Sequence, residues 1–460
     1  MKQLNLTLCA AAIALLGAPA FIPALAAVSA DEAKQLGTTL TEFGALKAGN
    51  ADGTIPAYTG GLTTAPAGFK PDSGFWVDPF KDEKPLFRID SKNMEKYADK
   101  LSEGQKRVLK EDPNYYLEIF PSHRTAAYPE KVLKATVRNA TGCKTTHEGI
   151  GVDSACRGGL PFPIPKTGLE ALWNQILHYQ SDTAVTTSAS RSWVIDTAGK
   201  PTMTAEQSTY TDATWYQPDL PDRDPTMAWR VYSVTKSPAR LAGGVTGITD
   251  FIDPIQQPRK AWGYTPGQRR IKMSPEFSYD TPVASQGGLT LFDELFVVSG
   301  KLDRFDYKLT GKKEMYLPYN QYKGSFDCPT LEMGLQAKHT NPVCDRWELH
   351  RVYVVEATLK QGMRHAYSKR VYYLDEDLSA AALYDAFDQN GALYRSIFNG
   401  MVQLYDKKLP WAVRTTIYDF NKGQYGYFND VMVGGHKIEA KPRSERELNA
   451  EAIVTRETAR

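Results

Sequence analysis

Alternating apolar and polar residues dominate the second half of the chain and predict a series of β-strands. The clearest is the run from Trp347 to Lys360, where apolar residues recur at every second position and only Arg351 interrupts the apolar face. A period of two is typical of a strand with one buried face. Further strands are predicted at 188–196, 228–235, 240–251, 260–265, 269–273, 365–374, 381–387, 392–398, 414–420 and 424–433.

Short turns connect these runs and indicate how the strands are joined. The turn Asp388-Gln389-Asn390-Gly391 is the strongest hairpin signal in the chain. Strands do not alternate regularly with helices here, so a parallel sheet is not expected. The pattern therefore favours a meandering antiparallel sheet.

One segment has helical spacing instead. After Thr167, large apolar residues follow at positions 169, 172, 173, 176 and 177, on one stripe of a short helix. Thr167 and Glu170 have the spacing of a capping box, in which both side chains satisfy free backbone N–H groups. The stripe suits an ordinary core helix, and it also suits a lid over an apolar cavity.

The section before Pro165 is irregular and rich in Gly, Pro and Asn. One helix is predicted within 91–110, where Ser102 and Gln105 form a second capping-box pattern that restarts it. We expect residues 27–165 to form an extended arm packed on a larger body, residues 166–438. The charged residues 439–460 are expected to form a frayed tail.

The first 26 residues have the three regions of a secretory signal peptide. Lys2 gives a positive start, an apolar run follows from Leu4 to Phe21, and a small-x-small cleavage site ends at Ala26. The run is too short and too interrupted for a membrane-spanning helix of about 20 residues. Residues 1–26 are therefore predicted to be cleaved off, and the mature protein is expected in the periplasm.

Four cysteines follow the predicted signal: Cys143, Cys156, Cys328 and Cys344. An even number in an oxidising compartment predicts disulfides, and four cysteines allow three connectivities. We favour Cys143 with Cys156 and Cys328 with Cys344, because each bridge then closes one local polar loop. No pair has the spacing of a zinc site, so no metal centre is predicted.

Charge and hydropathy exclude two classes of partner. The chain has 55 Lys and Arg against 53 Asp and Glu, so no basic excess supports nucleic-acid binding. After the signal, no apolar run reaches the length of a membrane span. Contact with a membrane is therefore expected to be transient.

The sequence contains no familiar catalytic signature. A nucleophile elbow, a zinc-protease motif, a phosphate loop and a dinucleotide loop are all missing from it. We therefore predict neither a catalytic site nor a cofactor. If the protein is an enzyme, His123 and Arg124 are the best candidates for its site. The acidic run Asp375 to Asp377 follows a strand, and a solvated turn is its simpler interpretation.

Several short blocks together resemble the domain-of-unknown-function family thirteen twenty-nine, whose members are often labelled outer-membrane lipoprotein-sorting proteins. Each block alone is only a turn or a strand, but the set spans most of the chain from about residue 42 to residue 433. The blocks are Ala48–Pro56, Phe120–Ala126, Gly158–Pro165, Pro266–Arg270, Ser278–Pro282, Leu317–Asn320 and Arg351–Ala357.

The resemblance implies a fold and a class of ligand. The family is similar to the periplasmic lipoprotein carriers LolA and LolB, whose curved antiparallel sheet is an unclosed half-barrel. Its apolar concave face is covered by helices and accepts acyl chains. The resemblance thus implies a mainly β half-barrel with a few covering helices and an irregular N-terminal arm. It also implies a partner among inner-membrane transporters of the resistance-nodulation-division type, and it supplies no catalytic residues.

The leading hypothesis is a periplasmic carrier or binding protein for a lipid, a lipoprotein acyl chain or another hydrophobic molecule. The alternatives are a cell-envelope enzyme and a structural adaptor of a transporter complex. A large apolar cavity would favour the carrier. A cleft in which His, acidic and hydroxyl groups converge would favour the enzyme. A solid core with an exposed apolar patch would favour the adaptor. The residues predicted to line the cavity are Leu169, Leu172, Trp173, Ile176, Trp229, Trp262, Trp347, Leu349, Tyr353 and Val355.

Period two further predicts that the last four of these residues, on the strand from Trp347 to Lys360, share one face. Glu348 is predicted to lie on the opposite face. We therefore expect a charge reversal at Glu348 to have little effect.

Overall fold

A computed structural model of the protein describes residues 28–458, so the predicted signal peptide lies outside the described residues. Within them the chain forms eighteen strands and six α-helices, with short 3₁₀ and π turns between. The helices are α1 (Ala30–Ala33), α2 (Glu103–Glu111), α3 (Glu130–Gly142), α4 (Gly168–Ile176), α5 (Tyr322–Phe326) and α6 (Ala450–Thr458). The strands are β1 (Phe87–Ile89), β2 (Leu117–Ile119), β3 (Thr145–Thr146), β4 (Gly151–Val152), β5 (Val185–Ile195), β6 (Pro201–Asp212), β7 (Met227–Ser237), β8 (Val245–Phe251), β9 (Lys260–Thr265), β10 (Arg270–Met273), β11 (Phe305–Pro318), β12 (Trp347–Leu359), β13 (Lys369–Asp375), β14 (Ala380–Phe387), β15 (Leu393–Leu404), β16 (Leu409–Asp419), β17 (Gln424–Asp430) and β18 (His436–Ile438).

Sixteen of these strands form one sheet. Its order is β1-β2-β12-β13-β14-β15-β16-β17-β5-β6-β7-β8-β9-β10, with β11 added to β12 and β18 to β5. Neighbours are antiparallel, except that β2 and β12 meet in parallel where Ile119 pairs with Trp347. The order begins at β1 and ends at β10, so the sheet is not closed into a barrel. The expected mainly β, unclosed antiparallel fold is confirmed.

Contacts across the inner face show how strongly the sheet is curved. Six strand-to-strand steps separate β14 from β7, or roughly 29 Å in a flat sheet with about 4.8 Å between strands. Two residues nevertheless connect them. Gln175 of α4 accepts the N–H of Ala381 in β14 and donates to the carbonyl of Phe296 at 2.8 Å. The Phe296 ring packs 5.2 Å from the ring of Trp229 in β7.

Strand alternation separates an inner core from an outer core. On β13, Tyr372 and Leu374 belong to the inner core, which α4 covers, whereas Val371 and Tyr373 belong to the outer core. Both faces of the central strands are therefore buried. Sheets with two covered faces need a second layer on each side, and here the N-terminal arm supplies the outer one.

The arm reaches the outer core through α2, which begins at the predicted Ser102–Gln105 capping box. A 3₁₀ turn over Met94–Lys100 precedes it, so the helix restarts as expected. The N-terminus of α2 meets β14, where Asp385 accepts the N–H groups of Glu103 and Gly104 at 3.0 and 3.1 Å. The arm is thus joined to the sheet by hydrogen bonds as well as by apolar packing.

The C-terminal residues are docked rather than frayed, which corrects the sequence prediction. Ile453 and Val454 of α6 are buried in a third apolar cluster together with Tyr232 of β7. Just before α6, Glu445 forms an ion pair with Arg230, which is itself buried. A charged residue of this tail is thus paired with a buried arginine of β7, and sequence composition alone does not reveal such a partner.

Both predicted disulfides are present. Cys143 is bonded to Cys156 with an S–S distance of 2.08 Å, and Cys328 is bonded to Cys344. Each closes one short loop, as the sequence indicated. No helix among residues 28–458 has both the length and the hydropathy that a membrane crossing requires.

Candidate functional site

Helix α4 lies across the inner face of the sheet and has most of its predicted cap. Thr167 Oγ1 accepts the backbone N–H of Glu170 at 3.2 Å. The Glu170 carboxylate accepts the N–H of Lys166 at 2.6 Å, one residue before the position that a capping box uses. The helix therefore begins where the sequence places it.

The apolar stripe of α4 faces the inner core. Leu172, Trp173 and Ile176 are buried there, and Leu169 is half-buried at its margin. Trp173 also donates its indole N–H to the carbonyl of Gly149 at 2.9 Å. The helix is thus held by apolar contacts and by hydrogen bonds to the segments beside it.

The other predicted cavity residues divide between three places. Trp229, Tyr353 and Val355 contribute to the inner core below α4. Trp262 packs at the margin of the cluster that α6 covers. Trp347 and Leu349 belong to the outer core.

The prediction that β12 presents one continuous apolar face is therefore wrong. Residues 352–358 of β12 pair with β13, but residues 347–351 pair only with β11, apart from the single pairing of Trp347 with β2. A two-stranded ribbon twists more strongly than a wide sheet. Along this ribbon the buried side of β12 changes, so that Trp347 and Leu349 lie in the outer core whereas Tyr353 and Val355 lie in the inner core.

A small pocket opens beside α4. Its empty volume is about 240 Å³, counting the space that is open to solvent. Pockets for drug-sized ligands measure about 300–1,000 Å³, so this one is too small for a long acyl chain. The lining residues are Phe43, Pro163, Pro165, Ala171, Asn174, Tyr353, Leu374 and Ser379.

The 31 residues between Met273 and Phe305, which we call the inner segment, contribute to the inner core beside α4. Its regular secondary structure consists of one 3₁₀ turn, Ala284–Gln286, and one isolated β-bridge between Pro282 and Leu291. Structureless connections longer than about 12–15 residues are uncommon in compact domains and are often functional. Its buried apolar side chains are Val283, Leu289, Leu291, Phe292, Val297, Val298 and Leu302.

Two carboxylates of the inner segment neutralise two arginines of the sheet. Asp293 accepts one hydrogen bond from Arg370 at 2.6 Å and contacts His365 at 3.0 Å. Glu294 accepts from Arg395 at 2.9 Å. All of these side chains are buried.

Tyrosines complete this buried polar cluster. Tyr367 and Tyr384 donate their hydroxyls to Glu294 at 2.7 and 3.2 Å. Burial alone would raise the pKa of Asp293, but the charge of Arg370 and the hydrogen bond from His365 outweigh it and lower the pKa. One oxygen of Asp293 has no hydrogen-bond partner among the described residues, so the cluster is not fully satisfied.

Arg259 fastens the inner segment at a third point. Its guanidinium pairs with Asp250 of β8 at 2.6 Å and donates to the carbonyl of Phe292 at 3.0 Å. It also donates to Ser299 at 2.8 Å. The segment is therefore held to the sheet by charged groups at separate places along its length.

A second group of buried charges lies where the arm meets the other end of the sheet. Arg124 donates two hydrogen bonds to Asp377, at 2.8 and 2.6 Å. Glu376 accepts from Lys312 at 2.8 Å and from Arg351 at 3.2 Å. The turn Asp375–Asp377 is buried, so its interpretation as a solvated turn is wrong. Its cations come from distant parts of the sequence.

Two further carboxyl groups extend this network. Burial raises the pKa of Asp375 to about 7, although the charge of His350, whose Nδ1 lies 3.8 Å away, lowers it. Glu348 is fully buried and accepts from Arg346 at 2.5 Å. Burial would raise the pKa of Glu348, but Arg346 outweighs it and brings the pKa to about 2. A charge reversal there should thus be harmful, contrary to the sequence-based expectation.

His123 and Arg124, the candidates for an enzyme site, take part in the same network. His123 Nε2 lies 2.7 Å from the Glu83 carboxylate, and its ring stacks on Phe80 at 4.1 Å. The backbone N–H of His123 donates to Glu348 of β12 at 2.7 Å, and Arg124 donates to Asp377, so both residues connect the arm with the sheet. Within the part of the chain that the structure describes, no group of three or more His, Cys, Asp or Glu could hold a metal ion.

Sequence reasoning missed the inner-face charges altogether. Arg370 lies within a predicted strand, directly before the run Val371–Leu374, and that position was the available signal. Asp293 and Glu294 lie in a stretch without any periodicity, so nothing in the sequence placed them opposite Arg370 and Arg395.

The solved structures that this chain resembles share little sequence with it. A domain from Vibrio parahaemolyticus, described as an outer membrane lipoprotein-sorting protein, is 13% identical, covers 62% of this chain and 98% of its own, and has a TM-score of 0.42. A DUF1329 family protein from Desulfovibrio piger is 14% identical, covers 59% and 92%, and has a TM-score of 0.39. A LolA superfamily protein from Nitrosomonas europaea is 8% identical, covers 62% and 99%, and has a TM-score of 0.36.

Sequence comparison gives a much stronger relation. An uncharacterized protein of Pseudomonas aeruginosa is 41% identical over 408 residues, which is 87% of this chain and 88% of that protein. The model of a family described as "Protein of unknown function (DUF1329)" matches residues 88–453. The chain therefore belongs to the DUF1329 family.

Proposed function

We propose that this protein is a periplasmic carrier for an amphiphile with a hydrocarbon part and an anionic group. The observation that carries the proposal is the inner segment. This long irregular stretch packs apolar side chains against the concave face of an unclosed sheet. Two of its carboxylates form ion pairs with two buried arginines of the sheet. In chemical terms the segment resembles such a ligand, and we infer that it occupies the ligand's place.

The backbone of the inner segment supports a role as a displaceable occupant. Phe296 and Val297 have φ angles of 54° and 73°, a region that is unfavourable for a β-branched residue such as Val297. Backbone strain of this kind costs on the order of 1–3 kcal/mol per residue. Movement of the segment away from the sheet would relieve that strain.

Removal of the segment would leave Arg370 on the concave face without its counter-ion, and it would leave Arg395 with only Asp419 of β16, at 3.3 Å. Buried charges need such partners, and a phosphate or carboxylate headgroup would supply one with charge-assisted hydrogen bonds. Apolar side chains of the same core would contact the hydrocarbon chain. Each CH₂ removed from water stabilises the complex by about 0.8 kcal/mol, so a long acyl chain could offset the loss of the segment's own contacts.

The periplasmic location is proposed on two grounds. The N-terminal sequence has the pattern of a secretory signal, and both disulfides suit an oxidising compartment. A transporter partner, which the family resemblance implies, stays a prediction because no described contact bears on it.

Displacement of a fluorescent fatty acid, combined with native mass spectrometry of protein purified from the periplasm, tests the proposal. We expect a co-purified lipid or saturable binding by the wild type. Asp293→Asn should tighten binding by about tenfold, because a weaker hold on the inner segment lowers the cost of opening. An uncharged fluorescent alcohol of equal chain length should bind more weakly than the acid.

The matched control is Asp303→Asn, at the end of the same segment, where the carboxylate accepts from Tyr279 at 3.0 Å. It should leave affinity unchanged, and circular dichroism would establish that both variants are folded. Absence of bound lipid from the purified protein, together with no binding by wild type or Asp293→Asn, would contradict the carrier. Equal affinity for acid and alcohol would contradict the headgroup role of the arginines.

A further inference from the structure

The end of the sheet at β10 has a composition unlike that of the whole chain. Two segments meet there, residues 236–244 and residues 262–273, which we call the basic tip. Their 21 residues include no Asp or Glu, in a chain whose charges nearly balance. Their five cations are Lys236, Arg240, Arg269, Arg270 and Lys272.

The fold brings these two segments together. A Cβ at Gly243, in the turn after β7, would lie 3.1 Å from the ring of Pro266, in the turn after β9. None of the five cations forms an ion pair with any residue of 28–458. Glu206, which lies opposite Ser237 in the β6–β7 register, is paired with Arg191 at 2.8 Å. The positive charge of the tip is therefore not neutralised by the nearby sheet.

Apolar and aromatic side chains accompany the charge. Met273 is 65% exposed and Leu241 is 42% exposed. In the β9–β10 hairpin, Met273 pairs with Trp262 and Ile271 with Tyr264. Because alternate residues share a face, these four side chains lie on one side of the hairpin. Trp262, Tyr264 and Ile271 are half-buried, so part of each of these side chains is exposed to solvent.

We propose that the basic tip docks on the surface of a bilayer that contains anionic phospholipid. Clustered Lys and Arg are attracted to such surfaces, and Trp and Tyr favour the boundary between lipid and water. Exposed Met and Leu side chains beside them would enter the interfacial layer. The outer edge of β10 is the last in the sheet order, so no other described strand blocks the approach.

Protection of an open sheet edge is the plainer role for these charges, and it makes a different prediction. Charge of either sign prevents edge-to-edge pairing, whereas only positive charge attracts anionic lipid. Reversal of the sign therefore separates the two roles. The inference goes beyond the carrier function and does not depend on it, because docking requires no ligand inside the sheet.

The experiment is sedimentation of the full-length mature protein with phosphatidylethanolamine vesicles, with and without phosphatidylglycerol. We expect binding only when phosphatidylglycerol is present, and weaker binding as salt increases. The triple variant Arg269→Glu, Arg270→Glu, Lys272→Glu should bind more weakly, with an affinity lower by about tenfold or more. Met273→Ser should also weaken binding, by a smaller factor.

The matched control reverses three exposed lysines of the N-terminal arm: Lys81→Glu, Lys92→Glu and Lys96→Glu. It changes net charge equally and should retain binding. An equal loss in this control, or no binding of the wild type to phosphatidylglycerol vesicles, would overturn the proposal. So would analytical ultracentrifugation showing a wild-type dimer that the β10 triple variant dissociates, since a second copy would then occupy this edge.

Discussion

Burial of single carboxyl groups makes the stability of this fold depend on pH. Burial raises the pKa of Asp385 to about 6, against the hydrogen bonds from Ser396 and from the N-terminus of α2 that lower it. The pKa of an aspartate in an unfolded chain is about 3.9. A pKa that is raised on folding adds stability below pH ~4, and that stability is lost as pH rises through ~6.

We therefore predict that Asp385→Asn flattens the pH dependence of unfolding. From pH ~4 to pH ~7 the wild type should lose roughly 2–3 kcal/mol that the variant does not lose. Urea unfolding across this range measures the difference. Asp306→Asn, at an exposed position, is the control and should follow the wild type; parallel profiles for all three proteins would contradict the prediction.

Contacts between residues close in sequence can be predicted, whereas contacts between distant residues cannot. Local chemistry was predictable: Thr167 and Ser102 cap helices, and both disulfides close local loops. The burial of Asp377 was not, because its partner Arg124 lies 253 residues away in the chain. No local pattern distinguishes a carboxylate that meets a distant arginine from one that meets water.

Helix α4 is the element whose contribution can be measured most directly. Trp173 is fully buried in the inner core, and its indole N–H is bonded to Gly149. We predict that Trp173→Ala lowers the free energy of unfolding by about 3–5 kcal/mol. Leu169→Ala, at the half-buried margin of the same helix, should cost clearly less.

Thermal or urea unfolding of the two variants checks this order, and fatty-acid affinity measured on the same samples tests the lid role. If α4 is also a lid, Trp173→Ala should change affinity beyond what Leu169→Ala does. A large loss of stability with unchanged affinity would leave α4 as core only. A loss below about 1 kcal/mol would contradict its place in the core.

Strand β12 shows why a strand is easier to predict from sequence than the core that each of its faces contacts. Its alternation correctly indicated a strand, yet Leu349 and Tyr353 face different cores. The alternation reports only the local period, whereas the face that is buried depends on which strands pair along each half. That pairing is a property of the whole sheet.

At the scale of the whole molecule, the N-terminal arm proves to be a structural layer. Its apolar residues complete the outer core, and its charged residues meet the turn Asp375–Asp377. The sequence predicted an arm packed on a body. The extent of its burial depends on charges and apolar groups of the sheet that only the folded chain brings together.

The arm is attached to the sheet most closely at α2. A Cβ at Gly104 would lie 2.1 Å from Ser396 Oγ, so α2 approaches β15 as closely as glycine permits. Gln105 donates to the carbonyl of Tyr316 at 2.9 Å, a further tie between the arm and the sheet. We therefore expect amide hydrogens of α2 to exchange as slowly as those of β14, because opening one would open the other.

Hydrogen–deuterium exchange measured by mass spectrometry tests this, with α1 as an internal control, since none of its four residues is buried. Peptides of α1 should exchange fast under the same conditions. Gly104→Ala should selectively accelerate exchange in α2, since the added methyl group forces the helix away at a cost of about 1–3 kcal/mol. If α2 exchanged as fast as α1 while β14 stayed protected, the arm would be a detachable segment, and the outer core would form without it.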